Sequence, residues 1–538
     1  MNLVFDKSTL KVVSLFDDDS FSGMDDSLLR STFPTNFKNL ALWEIKTKIK
    51  QNPIHLKVRL DSQSNPEALV YKNKDVYVCS DCEKEEIQKK QLSKKRKEIE
   101  NKIPKTLLRS ISPDILKLWI NSPYTHPDIS ESLKNYQYFY DNPIVPVSWW
   151  GPFTDAGGYA NMNREIVFRL HNYHIIAKAD VCPTAPQISS MAHYYLSKCA
   201  SFNFNHLRNN PRVWAFTPLP HSPHEGKNIF FTMMETESLH PEFVRLCNVH
   251  SDEIWVPSSH NYRVFREYGV KKPIKVMPLG IDDRLYSQEN KAPLGTIKST
   301  ECFVDLLGRK AHDGVNSFRF VSLFGWSYRK GTDILIKSFV EEFGRDDDVA
   351  LVIVARHSGS SEQSHINIIK SEVDKYAKSV RNSNYPQILL YPHIVPELQM
   401  PSIYRMGHVF IHTSRGEGFS LPQIEASASG LPVISCNNTG MGEYLTDDNA
   451  FLIKTDEKEI CSPEMHWITA YYQNQLFAKL GGDQIHQARK HMRFTRENLD
   501  KAMTKGKNLT DLVFSEYTWE KASFRVAARI REIHQENK

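Results

Sequence analysis

The chain has 538 residues, of which 40% are hydrophobic, 11% aromatic and 24% charged, a globular composition that excludes collagenous, coiled-coil or largely disordered architectures. One hydrophobic core stops growing near about 250–300 residues, so two or three domains are expected. Lys+Arg 68 against Asp+Glu 63 leaves a formal charge of +5, too small an excess over this length for a dedicated nucleic-acid binder. The eight cysteines are scattered, which is no disulfide framework and suits a reducing compartment.

The first residues, MetAsnLeuValPheAspLysSerThrLeu, carry no basic segment followed by an apolar stretch and a small-residue cleavage site, so no signal peptide is read there. The longest apolar run, ValAlaLeuValIleValAla at 349–355, is far short of the roughly 20 residues that a membrane-spanning helix needs. The expectation is a cytoplasmic protein, at most peripheral to a membrane.

Residues 1–140 read as an N-terminal extension of unknown structure. It has acidic turns at Asp17–Asp19 and Asp25–Asp26, and a charge-dense stretch, Glu83 to Lys105, with nine Lys/Arg against five Glu. That stretch reads as a solvated helix; the sharper alternative is contact with an anionic lipid surface or a protein partner. Cys79 and Cys82 have no second pair or histidine at zinc spacing and read as free thiols.

From about 141 short β-rich runs alternate with amphipathic stretches. IleValProValSerTrp (144–149) leads into a glycine loop and a helical segment, and further runs follow at 212–217, 229–233, 253–256 and 275–278. A second series covers 318–324, 349–355, 387–391, 408–413 and 431–435. Strands separated by helical patterns build parallel sheets. Two such series predict an α/β protein with two Rossmann-like, doubly wound domains, at 141–310 and 311–515. Ligands in such sheets sit at the carboxyl ends of the strands, here facing a cleft. Segment 290–315 reads as an irregular linker or insertion, the chain after 455 as mostly helical, and 516–538 as a closing helix that returns to the first domain.

The most informative stretch is HisThrSerArgGlyGluGlyPheSerLeuProGlnIleGluAlaSerAlaSerGlyLeuProValIle, 412–434. A strand ends near Thr413, a glycine-rich turn follows, and Pro422 marks a helix's first turn. Gly418, Phe419, Ser420 and Leu421 therefore offer backbone N–H groups without intrahelical partners, an anion site with the helix dipole behind it. Glu417 stands at the mouth of the loop, and Glu425 is placed in the helix's first turn. Taken alone, Glu425 also reads as a charge that stabilises its helix end, and Arg329-Lys330 as a solvated turn.

Glu417 and Glu425 with the intervening GlyPheSerLeuPro resemble the E-x7-E element of glycosyltransferase family 4, retaining enzymes of the GT-B fold. The resemblance runs from about 145 to 530 through TrpTrpGlyProPheThrAspAlaGlyGlyTyrAla (149–160), TrpValProSerSerHisAsnTyrArgValPhe (255–265), ProLeuGlyIleAsp (278–282), PheGlyTrpSerTyrArgLysGlyThrAspIleLeuIleLysSerPhe (324–339) and ThrTrpGluLysAla (518–522). It implies transfer of a hexose-type sugar from a nucleotide-diphosphate donor to an acceptor hydroxyl of a glycan, protein, lipid or small molecule. No cofactor or metal is implied.

Position by position, Glu425 is expected on the ribose hydroxyls, and Glu417 with the amides of Gly418, Phe419, Ser420 and Leu421 on the sugar and phosphates. Arg329 and Lys330 are expected on the departing diphosphate. Gly157 and Gly158 would let the backbone approach the donor, although an ordinary strand-to-helix turn explains them equally. Glu235 or Glu237 would reach donor or acceptor, with a surface loop as the plain reading.

The family usually has glycine where Ser420 stands, and arginine where Trp326 follows the strand glycine. His221 and His224 read as structural or exposed, and Asp346–Asp348 as an acidic turn rather than a metal site. Two other readings stay open: another enzyme class on the same fold, such as a nucleotide-sugar epimerase or phosphorylase, and a non-catalytic glycan- or partner-binding protein.

Overall fold

The computed structural model describes residues 2–6, 11–16, 40–44, 145–173, 175–182, 190–200, 209–220, 225–286, 293–296, 302–307, 315–356, 362–462 and 470–536. The readings made for Asp17–Asp26, Cys79, Cys82, Glu83–Lys105, His221 and His224 fall outside these residues. The chain divides into two compact units, Met1–Asn121 and Ser122–Lys538. In the first, β1 (Asn2–Asp6) is the middle strand of an antiparallel sheet, between β2 (Lys11–Phe16) and β3 (Leu40–Glu44).

The second unit holds two parallel sheets. The first joins β4 (Val145–Pro152), β5 (Ile175–Cys182), β6 (Arg212–Trp214), β7 (Asn228–Phe231), β8 (Glu253–Val256) and β9 (Ile274–Val276), in the spatial order β5-β4-β6-β7-β8-β9. Between its strands run α1 (Gly158–Leu170), α2 (Ser190–Ala200), α3 (Pro241–His250) and α4 (Ser259–Glu267). The local chemistry favours these helix starts. Pro241 opens α3 while the His240 ring accepts from Glu242 N at 3.2 Å, and Ser258 caps α4 by accepting from Asn261 N at 3.3 Å.

The second sheet contains β10 (Val304–Asp305), β11 (Phe318–Gly325), β12 (Val349–Arg356), β13 (Gln387–Tyr391), β14 (Val409–His412), β15 (Val433–Cys436) and β16 (Phe451–Ile453). Its order is β10-β13-β12-β11-β14-β15-β16, parallel apart from β10. Helices α5 (Thr332–Glu342), α6 (Glu362–Lys378), α7 (Met400–Tyr404) and α8 (Leu421–Ala428) connect its strands. The run at 349–355 is the interior strand β12, whose residues Val349–Ala355 are all buried. An unbroken apolar run is what a parallel strand covered on both faces requires.

One expectation needs correcting and another a detail. Segment 290–315 is not all irregular, because Val304–Asp305 joins the sheet edge antiparallel to β13. The chain after 455 is mostly helical, as expected, although it does not begin so. A hairpin of β17 (Lys458–Ile460) and β18 (Leu476–Ala478) precedes α9 (Gly482–Glu497), α10 (Leu499–Glu516) and α11 (Trp519–Glu536). Strands of two or three residues have no period to detect.

Helix α11 returns to the first sheet's half of the unit. Ile281 N donates to Tyr517 O (2.9 Å), Arg531 Nη2 to Tyr173 O (2.5 Å) and Arg529 Nη2 to Glu253 Oε2 (2.6 Å). No helix of the described residues is long and apolar enough to cross a membrane. Among the described residues, Cys182, Cys199, Cys247 and Cys436 are free thiols.

Candidate functional site

In the second sheet the strand order reverses between β11 and β14, neighbours that are far apart in sequence. Such a switch point leaves a crevice at the carboxyl ends of the two strands. The loops that follow lie flush against each other. Arg415 N donates to Arg329 O (2.8 Å) and Thr413 Oγ1 to Gly331 O (2.9 Å). Gly331 has φ +68°, and a Cβ there would lie 1.8 Å from Thr413 O, so only glycine fits. Arg415 fixes this junction: its fork meets both oxygens of Asp333 at 2.8 and 2.9 Å, and its Cζ lies 3.9 Å from the Tyr328 ring centroid.

A buried charge cluster stands at this crevice. Lys330 Nζ lies 2.5 Å from Glu417 Oε1, and Arg329 Nη1 lies 3.3 Å from Glu417 Oε2. Arg329 also donates to Gly416 O, and its Nη2 is 3.9 Å from Glu235 Oε1. Glu235 in turn accepts from the Tyr472 hydroxyl at 2.7 Å. The His412 ring places Nε2 3.2 Å from Glu417 Oε1, while its buried Nδ1 has no partner among the described residues. That pattern assigns the neutral tautomer with the proton on Nε2.

The electrostatics follow from burial and pairing. Burial alone would raise the Glu417 carboxyl, but Lys330, Arg329 and His412 hold it well below the usual carboxylate range. Burial and the adjacent Arg329 cation push the Lys330 ammonium down, against the pull of Glu417. Burial also keeps the His412 ring below its usual range. Arg329 and Lys330 are therefore not the solvated turn their residue types allow; both are engaged with carboxylates.

The 416–421 loop packs against residues 233–235 from the first sheet's half. A Cβ on Gly416 would lie 1.9 Å from Glu235 O, and one on Gly418 2.7 Å from Met233 Cγ. The amides of Gly418, Phe419, Ser420 and Leu421 donate to no acceptor among the described residues. The Phe419 ring is buried against Tyr444 (5.3 Å between centroids), so only its backbone can serve a ligand.

Ser420 precedes α8 at φ +72°, which explains why glycine is usual at this position. A left-handed residue with a Cβ costs about 1–2 kcal/mol. Ser420→Gly is thus expected to raise the unfolding free energy by about 0.5–1 kcal/mol, part of the relief being offset by the lost Ser420–Gln423 hydrogen bond. Chemical denaturation checks this, and a net loss of stability would contradict it.

Glu425 requires a correction. Helix α8 begins at Leu421, so Glu425 lies in its second turn and not its first, and it contributes little to the helix end. Its carboxylate accepts from the Tyr404 hydroxyl at 2.7 Å and makes no described contact with Glu417, Arg329 or Lys330. Burial and the nearby Glu397 charge raise its pKa to about 7 in spite of that hydrogen bond.

Gly157 and Gly158 lie at the start of α1, both exposed. Gly157 N donates to Asp155 Oδ1 (2.7 Å) with ordinary backbone angles, and Gly158 has open space around it, so neither is demanded by conformation. The next residue, Tyr159, accepts from Met233 N at 3.0 Å and so touches the loop that carries Glu235. Glu237 is placed elsewhere, paired with Lys458 (3.0 Å) and Arg263 (3.5 Å). Asp347 and Asp348 accept from Gly344 N (2.9 Å) and Ser317 N (2.8 Å), which makes 346–348 a turn.

Sequence reasoning missed His412, read only as a strand end, and also Tyr404, Arg415 and Tyr472. His412, five residues before Glu417 at the end of a buried strand, carried some signal. Tyr472 carried none.

Residues 316–463 match the family model described as Glycosyl transferases group 1. This segment is similar to group 1 glycosyl transferase domains. It contains the whole Arg329–Lys330–Glu417 cluster, His412 and Glu425. The chain is 26% identical over 272 residues to the D-inositol 3-phosphate glycosyltransferase of Corynebacterium aurimucosum, covering 49% of this chain and 58% of that protein. It is 25% identical over 183 residues to the mannosylfructose-phosphate synthase of Agrobacterium fabrum, covering 33% and 36%. The chain thus spans less than two thirds of the length of these curated relatives. Among solved structures it is similar to Anabaena HepE in complex with UDP-glucose (TM-score 0.48, 14% identity, 72% of this chain and 99% of that one). It is also similar to the sucrose-phosphate synthase of Thermosynechococcus elongatus (TM-score 0.49, 13% identity, 73% and 99%). Glu235 and Tyr472 lie outside the group 1 segment and are brought to it by the fold.

Proposed function

We propose that the chain is a retaining glycosyltransferase that moves a hexose-type sugar from a nucleoside-diphosphate donor to an acceptor hydroxyl. The observation that carries this reading is the pair of cations, buried Arg329 and half-buried Lys330, beside four uncommitted amides at the β11/β14 switch point of the segment that matches the group 1 model. Breaking a glycosyl–phosphate bond leaves an oxocarbenium-like sugar and a growing negative charge on the diphosphate. Arg329 supplies a planar fork and Lys330 a point charge for that anion, and the amides of Gly418–Leu421 add oriented dipoles.

The carboxylates give this arrangement its selectivity. Glu417 and Glu235 balance the two cations, and His412 stays neutral beneath them. As the diphosphate gains charge it draws Lys330 and Arg329 away from Glu417, so their attraction grows along the reaction instead of being spent on the bound donor. Glu417, released in part, is left to accept from sugar hydroxyls, and Glu425 takes the ribose hydroxyls. The acceptor hydroxyl attacks from the face that the diphosphate leaves, its proton passing to the departing phosphate oxygen, and configuration is kept.

The test is release of the nucleoside diphosphate from UDP-glucose, UDP-N-acetylglucosamine and GDP-mannose, alone and with an acceptor mixture of inositol phosphate, fructose 6-phosphate and methyl mannoside. Release from at least one donor, with the product linkage retaining the donor's anomeric configuration, is expected. An inverted linkage would overturn retention, and donors that neither bind nor react would overturn the reading.

A further inference from the structure

Between β16 and α9 the chain makes an excursion that joins the two halves of the second unit. Its base is tied to the group 1 half, where Arg415 Nε lies 3.0 Å from Glu459 Oε1 and Ala478 N donates to Arg415 O at 3.2 Å. Its far part is embedded in the other half, with Cys461, Tyr472 and Phe477 buried in one cluster with Met234, Leu239 and Phe243.

The excursion grips the 235–238 segment directly. Glu237 N donates to Leu476 O (2.7 Å), Leu476 N to Ser238 Oγ (2.8 Å) and Ser238 Oγ to Gln475 Oε1 (2.8 Å). Within this apolar setting the Tyr472 ring meets Phe477 edge-on at 5.1 Å, a position that phenylalanine would fill equally well. The hydroxyl is the one polar atom of that side chain, and it is spent on Glu235 Oε2, while Glu235 Oε1 faces Arg329.

We propose that Tyr472 is a positioning residue for sugar transfer: its hydroxyl fixes the Glu235 carboxylate so that the second oxygen aims the Arg329 fork at the leaving diphosphate. Glu235 is bound at one end by the excursion and interacts at the other with Arg329, itself paired with Glu417. Without the hydroxyl, Glu235 can turn away, or fold onto Arg329 with both oxygens and withhold it from the phosphates. The inference rests on the transfer-site reading given above.

The experiment uses the full chain and the most active donor of the three-donor panel, with kcat, donor KM and thermal midpoint measured for wild type, Tyr472→Phe, Glu235→Gln and the double variant. One well-aligned hydrogen bond to a charged group corresponds to about 10–100-fold in rate, so kcat of Tyr472→Phe should fall by about that factor. Its donor KM should stay within about threefold, because the ground-state contacts are kept. The double variant should be no slower than Glu235→Gln alone, since the hydroxyl acts only through that carboxylate. A Tyr472→Phe kcat within twofold of wild type, or a double variant slower by the product of the two single effects, overturns the assignment and leaves the transfer site standing. A wild type silent with every donor removes the transfer site and this role together.

Discussion

Replacing Lys330 with alanine is expected to weaken nucleoside-diphosphate binding by at least about 100-fold and to lower the unfolding free energy by about 2–3 kcal/mol. The two effects have one origin. Lys330 Nζ is the shortest partner of the buried Glu417 carboxylate, at 2.5 Å, so its loss leaves a charge in the interior held by Arg329 at 3.3 Å and by His412. Breaking a buried pair usually costs about 3–5 kcal/mol, and the remaining Arg329 keeps the loss below that.

Glu417→Gln separates the two roles. It removes the competitor for both cations, so free UDP should bind at least as tightly as to wild type, while transfer falls by about 100-fold or more through loss of the sugar contact. Calorimetric titration with UDP and chemical denaturation read both quantities. Unchanged UDP affinity in Lys330→Ala would remove the cation from the phosphate site. The pH sign is also fixed. Glu417 has a depressed carboxyl pKa, so the stability it contributes is present above the ordinary carboxylate range and is lost as the pH falls from that range down through its lowered folded-state pKa.

Donor binding is expected to tighten about tenfold between pH 6 and pH 8, because Glu425 has a pKa near about 7 and only its ionised form accepts both ribose hydroxyls. For stability the sign is opposite to that of Glu417. A carboxyl raised in the folded state favours folding while it is protonated, and that contribution is lost as the pH rises from about 4.5 to about 7. Glu425→Gln keeps a neutral side chain beside Tyr404. It should therefore be more stable than wild type at pH 8, differ little at pH 5, and lose the pH dependence of donor binding along with most of the affinity. Thermal midpoints and UDP-glucose titrations at pH 5, 6, 7 and 8 test this. A pH-independent affinity, or a Glu425→Gln variant destabilised at pH 8, would mean that Glu425 is a structural residue.

Much of the sheet architecture can be read from the chain because parallel strands covered on both faces must be apolar along their length. Val349–Ala355 and Gln387–Tyr391 are such runs, and both are strands. Val304–Asp305 and the β17–β18 hairpin escaped because two or three residues carry no period. Arg329, Lys330 and Glu417 could be nominated from two motifs 87 residues apart, yet their mutual pairing depends on the switch point between β11 and β14, which no local pattern encodes. Glu425 was nominated but set one turn too early, since the helix starts at Leu421 with a left-handed Ser420 before it. The Tyr472–Glu235 contact spans 237 positions and lies outside every motif, so only the folded chain reveals it.

The most direct measurement is a crystal structure of the full chain with UDP, the departed leaving group. The account predicts a diphosphate within hydrogen-bond reach of the Gly418–Leu421 amides, Lys330 Nζ moved from Glu417 onto a phosphate oxygen, and the ribose on Glu425. A nucleotide bound with its phosphates away from Arg329 and Lys330, and with the Lys330–Glu417 pair undisturbed, would contradict it.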